Sequence, residues 1–318
     1  MTWSQSAKPV IALPAPNSTG WIKLTRGDNA SDFFTFYSGA TIAQNRKSFP
    51  DTTFKFIGDT IDVKGKPTGH LIFKQPFSHY RIRYQIRWPG VLGNCGFLLH
   101  IQENDSVMGG TFPRSIESQG DPLQGMGQIW AISRVWVTVH AKASSPPQYD
   151  PASPEIDYGA ENDGKRLITG IEGYGQPQPA ELKLHDWISF EADVHGSDSI
   201  AHIVMNKVMI KYRNPRVAPR NNPNQVEKFL KEGLLGWQSE GVPVQYRNIE
   251  IKLYPEDPLY ATLYPTGLKS ATIQEKRRES PVLDFRDGIL RVRPTDLDCG
   301  LMNLQGQALQ LSPGSDPR

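Results

Sequence analysis

Residues 70–88, HLIFKQPFSHYRIRYQIRW, decide the fold class. Within them Ile82, Tyr84, Ile86 and Trp88 alternate with Arg81, Arg83, Gln85 and Arg87. Successive side chains of a strand point to opposite faces, so this pattern predicts a strand with one buried and one wet face. Upstream, TTFKFIGDTIDVKG (52–65) sets Gly58-Asp59 between two apolar runs, a hairpin cue. Downstream, GNCGFLLHIQE (93–103) is more continuously apolar, as a central strand would be, and RSIESQGD (114–121) is a shorter strand. RVWVTVHAK (134–142) alternates again, with Val135, Val137 and Val139 on one face.

DWISFEADVHG and AHIVMNKVMIKY read as further strands, with Asn206-Lys207 as a turn, followed by LLGWQSEG and VQYRNIEIKLY (244–254). Residues 143–184 are rich in Ser, Pro, Asp and Gly and read as one long surface loop. A helix is predicted only over NPNQVEKFLKEG (222–233), which opens on Asn-Pro and stops at Gly233. After Pro255 a basic connector, QEKRRES (274–280), leads into two segments with turn cues at Asp287-Gly288 and Gln305-Gly306. Many strands and almost no helix predict an all-β, jelly-roll-like sandwich of two antiparallel sheets over 20–255. An extended arm (1–19) precedes it, and an extension (256–318) with a small C-terminal β-hairpin tail follows.

Composition agrees. The 318 residues are 38% hydrophobic and 21% charged, which supports a packed core. A net charge of +2, from 35 basic and 33 acidic side chains, gives no electrostatic footprint for nucleic acid or a membrane surface. No apolar stretch approaches the roughly 18 residues of a membrane span. Cys95 and Cys299 permit one disulfide, but Cys95 lies in an apolar strand pattern and reads as a buried free thiol. The start, MTWSQSAKPV, lacks a charged region and an apolar core, so two compartments stay open: secreted or periplasmic with the leader removed, or cytoplasmic. There is no Walker loop, GxSxG elbow or dinucleotide-binding glycine motif, and no HxH, HExxH or CxxC metal pattern. No cofactor is implied; calcium is common in sandwiches of this class by analogy, but the Asp-rich loops match no calcium-loop signature.

The order of segments carries a resemblance. GWIKLTRGD, GKPTGHLIFKQPFSHYRIRYQIRW, GNCGFLLH, IESQ, HDWISFEADVHG, MNK, LLGWQSEG and VQYRNIEIKLY follow one another as in the 3-keto-disaccharide hydrolases, bacterial proteins with a concanavalin A-like lectin/glucanase fold. The resemblance covers about residues 20–254. The chain departs from the family pattern at Cys95, where Ser is usual, at His100, often Arg, and after Trp237-Gln238.

The residues that could carry chemistry are polar groups sharing strand faces. Glu117 and Gln119 point the same way, opposite to Ile116 and Ser118, and Asn94, Gly96, Leu98, His100 and Gln102 share a face if that strand is regular. Gln238 and Glu240 do likewise if 234–241 is a strand. A carboxylate flanked by amides suits sugar hydroxyls and can move a proton. The bland alternatives are an exposed Glu117 on a wet face and a hydrogen-bonded His100 at a strand end. Trp88 and Trp187 read as core, whereas Trp130 and Trp237 flank the polar candidates and are either sugar platforms or partly buried packing.

The resemblance implies catalysis by Glu117, His100 and Glu240, with Asn94, Gln119, Gln238, Trp130 and Trp237 binding a carbohydrate ligand. A ketone at C3 would acidify the C2 proton, a base would remove it, and the glycosidic oxygen would leave C1 with help from an acid. IESQGD does not match the Glu-x-Asp-x-x-Glu motif of lectin-fold glucanases, which disfavours ordinary β-glucanase activity. The other readings are a non-catalytic, lectin-like carbohydrate-binding domain and a structural domain of a secreted assembly.

Overall fold

The computed structural model describes residues 11–27, 29–37, 52–102, 112–123, 125–159, 182–217 and 228–264, and the backbone of 283–286 and 289–292. Its strands are β1 (Ile22–Lys23), β2 (Phe33–Tyr37), β3 (Phe54–Ile57), β4 (Thr60–Val63), β5 (Gly69–Phe77), β6 (His79–Arg87), β7 (Gly96–Ile101), β8 (Ser115–Asp121), β9 (Gly125–Ile132) and β10 (Val135–Lys142). They continue as β11 (Gln148–Tyr149), β12 (Glu155–Gly159), β13 (Ile188–His195), β14 (Ser199–Val204), β15 (Lys207–Val217), β16 (Lys228–Phe229), β17 (Gly233–Ser239), β18 (Val244–Leu253), β19 (Leu283–Arg286) and β20 (Ile289–Val292). The α-helix among the described residues is α1 (Tyr260–Leu263), a single turn. Contacts divide the chain into Met1–Pro265 and Thr266–Arg318. In the second unit β19 and β20 pair antiparallel; Asp287-Gly288 and the GLMNLQGQALQL segment lie outside the described residues.

The first unit is a jelly-roll sandwich. A twelve-stranded sheet runs in the order β11-β10-β15-β14-β13-β6-β18-β4-β3, with β1, β12 and β16 paired off that path. A six-stranded sheet runs β2-β5-β17-β7-β8-β9. Strand β6 is central to the larger sheet because its alternation is clean: Tyr80, Ile82, Tyr84 and Ile86 face the core while the intervening arginines stay partly exposed. Burying each such apolar side chain contributes about 1.5–3 kcal/mol. The arginines pair along the wet face, Arg81 with Glu191 at 2.7 Å and Arg83 with Glu250 at 2.7 Å. Gly58-Asp59 forms the two-residue turn between β3 and β4.

The six-stranded sheet differs in having both faces buried. Leu71, Phe73, Phe97, Leu99, Ile116, Ile129, Leu235 and Trp237 point into the inter-sheet core. Phe34, Phe36, Ile72, Leu98, Ile132 and Leu234 form a second apolar cluster, with Phe112 and Trp130 packed on it, on the opposite face. Cys95 is a buried free thiol of the core.

Three expectations need correction here. The 143–184 stretch is not all loop, since β11 and β12 pair with β10 as edge strands; residues 160–181 lie outside the described set. The helix expected over 222–233 is absent from its described part. Lys228 and Phe229 are instead extended against Val217 and Arg216, where ladder bonds to a sheet edge outweigh local helix propensity. Trp187 is not a core residue: it lies half-buried, with the guanidinium groups of Arg87 and Arg247 4.5 and 3.9 Å from its ring.

Candidate functional site

The site grows from register. Across the six-stranded sheet, Phe36 pairs with His70, His70 with Gln238, and Gly96 with Gln119. In the next row Gly236 pairs with Leu98, Leu98 with Glu117, and Glu117 with Trp130. Parity assigns all of these to the outer face, because their sequence neighbours Leu71, Trp237, Phe97 and Ile116 are in the core. Glu117, Gln238, Gln119 and Trp130, contributed by three different strands, thus come together with Gly96 between them.

Glu117 is 5% exposed and Gln238 fully buried, and Gln238 Nε2 donates to Glu117 Oε1 at 2.9 Å. The pair spans β7 only because Gly96 has no side chain. A Cβ at Gly96 would stand 2.2 Å from Glu117 Oε1 and 2.7 Å from Gln238 Oε1. Gly96→Ala is therefore expected to break the pair and, like other overpacking changes, to cost about 1–3 kcal/mol in a urea melt. An unchanged melt together with unchanged ligand affinity would refute this reading of Gly96. The backbone of Gln238 is fixed from the core side, where Tyr246 OH donates to its carbonyl at 3.0 Å.

Electrostatics sets the state of Glu117. Burial pushes its carboxyl well above the usual carboxylate range, and the negative charge of Glu240 pushes it further; the Gln238 hydrogen bond opposes both. Glu240 follows directly on β17 and is only partly buried. Two carboxyls, one with its pKa pushed upward by burial and then by the other's charge, form the arrangement that separates an acid from a base. Gln119 is 4% exposed, and its Oε1 accepts from the Gly120 amide at 3.1 Å. Asn94 lies just before β7 and is half-buried.

Two expected site residues belong elsewhere. His100 leaves the face because the strand is not regular: the β7–β17 register shifts between Leu234 and Gly236, and His100 adopts φ 52°. This bulge puts Ile101, not His100, in the outer cluster. The His100 ring instead packs against the turn after β13, its Nε2 3.1 Å from the Gly196 carbonyl, and burial lowers its pKa to about 4. Trp237 is also excluded as a ligand contact. It is 0% exposed and sits in the inter-sheet core against Phe97, at a ring separation of 5.1 Å.

The outer face holds one residue the sequence reading passes over, His70 on β5. It is completely buried, 6.2 Å from the Phe36 ring and 5.1 Å from the Phe112 ring, and burial lowers its pKa to about 3. Both its ring nitrogens lack a hydrogen-bond partner, as do Gln238 Oε1, Trp130 Nε1 and Asn94 Oδ1. Each unpaired buried polar atom costs about 1–3 kcal/mol; others lie elsewhere, among them at Thr25, Tyr80, His100 and Trp237, but on this face five gather around Glu117, Gln238 and His70. Among the described residues no group of three or more His, Cys, Asp and Glu side chains is placed to hold a metal, and no helix is long and apolar enough to cross a membrane.

A model of the 3-keto-alpha-glucoside-1,2-lyase-like domain matches residues 18–252. No curated protein matches the chain. Solved structures align at low identity. A Parabacteroides distasonis ATCC 8503 protein, provisionally described as a glycosyl hydrolase, is 15% identical over 74% of this chain and 94% of that one, with a TM-score of 0.44. The carbohydrate-binding module CBM66 of Bacillus subtilis is 8% identical over 70% of this chain and 97% of its own, with a TM-score of 0.39. A Bacillus subtilis protein with a galectin-like fold is 10% identical over 76% and 98%, with a TM-score of 0.38.

Proposed function

The chain belongs to the family of 3-keto-alpha-glucoside-1,2-lyase-like, carbohydrate-active domains, and on that premise we propose that it cleaves a glycoside oxidised at C3, by general acid/base chemistry centred on Glu117. One observation carries the reading: a buried carboxyl, its pKa pushed upward by that burial, hydrogen-bonded to an amide across a glycine, on a face with several unpaired polar atoms. A surface that only displays sugar-binding groups has no use for a desolvated acid, whereas bond cleavage does.

The steps balance without an added oxidant. The C3 ketone acidifies the C2 proton, and Glu240 takes it as base. The C1–oxygen bond breaks, and Glu117 gives its proton to the departing oxygen. The ring is left as an enone. Glu117, now a carboxylate, takes a proton from water as that water adds to C1, and C2 is reprotonated by Glu240, which completes a net hydrolysis. If the enone is released instead, the same first step is a lyase reaction. Gln238 holds the Glu117 carboxyl in position and, with Gln119 and Asn94, offers amide groups to hydroxyls. Trp130, directly across from Glu117, presents a ring at the sugar's C–H face.

Incubation with a panel of 3-keto-glucosides and their unoxidised parents tests this. Release of the leaving group from the keto substrates alone is expected. Equal release from the parents would show that the ketone is not used, and binding of either set without any release would leave a lectin-like domain in place of an enzyme.

A further inference from the structure

The steps assigned to Glu117, Glu240, Gln238, Gln119, Asn94 and Trp130 leave His70 unexplained. Its imidazole is sealed from solvent between Phe36 and Phe112, rings that offer no hydrogen bond in their plane to either nitrogen. Neither Nδ1 nor Nε2 has a partner. Nothing but burial displaces its titration, to about 3, so the ring is neutral at any physiological pH and carries one N–H donor and one acceptor nitrogen. The other two fully buried histidines each have at least one bonded nitrogen: His202 contacts the Gly127 carbonyl at 3.1 Å and Tyr212 OH at 2.9 Å, and His100 Nε2 the Gly196 carbonyl at 3.1 Å, whereas His70 has none.

Position narrows what the ring meets. His70 is directly across from Gln238, one strand spacing of about 5 Å away. Glu117 reaches the same Gln238 amide from the opposite side, over Gly96. His70 and Glu117 thus flank Gln238, His70 within its own row and Glu117 from the neighbouring row of Leu98 and Trp130. The other unpaired donor, Trp130 Nε1, is on the residue paired with Glu117, at the acid end. A hydroxyl is satisfied by a donor or an acceptor, but a ketone oxygen only accepts. With the amides of Gln238, Gln119 and Asn94 assigned to hydroxyls and Trp130 at the acid end, His70 supplies the donor for a ketone oxygen.

We propose that His70 recognises the oxidised carbon of the sugar, donating its ring N–H to the C3 ketone oxygen while its second nitrogen accepts a neighbouring hydroxyl. The proposal rests on the reading of Glu117 as the acid at C1. A neutral donor suits the reaction, because the hydrogen bond strengthens as the ketone takes on enolate character when C2 loses its proton, and no fixed positive charge has to be buried beforehand. Phe36, Phe112 and Ile72 keep competing water from the same spot.

The test uses binding, so that it does not depend on turnover. Calorimetric affinities of free 3-keto-glucose and of glucose, neither of which has a leaving group, are compared for the wild-type chain, His70→Phe and His70→Gln, with thermal melts of all three. The wild type is expected to favour the keto sugar. His70→Phe is expected to lose about tenfold of that preference, the worth of one hydrogen bond, with no loss of melting temperature, since an unpaired polar ring is replaced by an apolar one of similar shape. His70→Gln, which keeps an N–H donor, is expected to restore part of the preference, and carries the test if the phenylalanine variant does not fold. A wild type with no preference, or a preference unchanged in both variants, overturns the proposal. A preference that disappears with His70 in a protein whose turnover is indifferent to Glu117 upholds His70 and sinks the acid assignment instead.

Discussion

Glu117→Gln is expected to lower turnover of a 3-keto-glucoside by about 10²–10⁴-fold, the usual worth of a positioned acid or base, while making the folded protein more stable at neutral pH. The two effects share one cause. Glutamine has the same shape and keeps an oxygen to accept the Gln238 amide, so the packing around Gly96 survives. What it loses is the proton that the buried carboxyl carries. In the wild type the folded-state pKa lies well above the ordinary value of 4.5 because burial and then Glu240 disfavour the charge. Between the unfolded and the folded pKa the native state binds more protons than the unfolded chain, so wild-type stability is complete below the unfolded value and declines as pH rises through the folded one. The variant lacks that decline. Urea melts across pH 4 to 9 should show wild type and variant converging at acid pH and separating progressively above it, and kinetics should show wild-type turnover falling as pH rises through the folded-state pKa of Glu117. Parallel stability curves, or a variant with full turnover, would mean that the carboxyl is neither held protonated nor used.

How much of this was legible beforehand depended on whether a strand has a wet face. β6 was legible because arginines and aromatics alternate along it and the structure buries only the latter. β5, with both faces buried over most of its length, shows no such contrast, and inside GHLIF His70 is indistinguishable from the apolar run around it. Only its parity with Ile72 distinguishes the face it occupies, and the importance of that face depends on β17 and β8, far away in sequence. His100 was misplaced for another reason. Period-two reasoning holds until a bulge intervenes, and the His100 φ of 52° has no signature in GNCGFLLHIQE. The Glu117–Gln119 face was readable from parity, as was the opposite orientation of Ile116. The role of Gly96 was not: it is a statement about two side chains from other strands, 121 residues apart, that meet above it. The short edge strands β11 and β12 hid in a Pro- and Asp-rich segment because an edge strand needs only one bonded neighbour and tolerates residues that a central strand excludes.

Trp237 supplies the second large effect, and the direction of its failure separates packing from recognition. Its ring lies in the inter-sheet core with centroids 5.1 Å from Phe97, 6.3 Å from Phe33 and 6.3 Å from Tyr84. Truncation to alanine there removes a fully buried indole and leaves a cavity bounded by both sheets, at an expected cost of about 3–5 kcal/mol. Domains of this kind are commonly stable by only about 5–15 kcal/mol, so Trp237→Ala should shift the urea midpoint far more than any substitution on the outer face. Trp237→Phe should recover much of the loss, because its indole Nε1 is buried without a partner and phenylalanine removes that unpaired donor while keeping an aromatic ring against Phe97. Where the alanine variant is still folded, its affinity for a keto sugar should stay close to wild type, since Gln238 faces the other way on the same strand and its carbonyl remains tied to Tyr246. A variant that keeps its midpoint and loses the sugar would return Trp237 to the site. The opposite result would mean that two adjacent residues, Trp237 and Gln238, divide the labour of β17, one holding the sheets together and the other holding the acid.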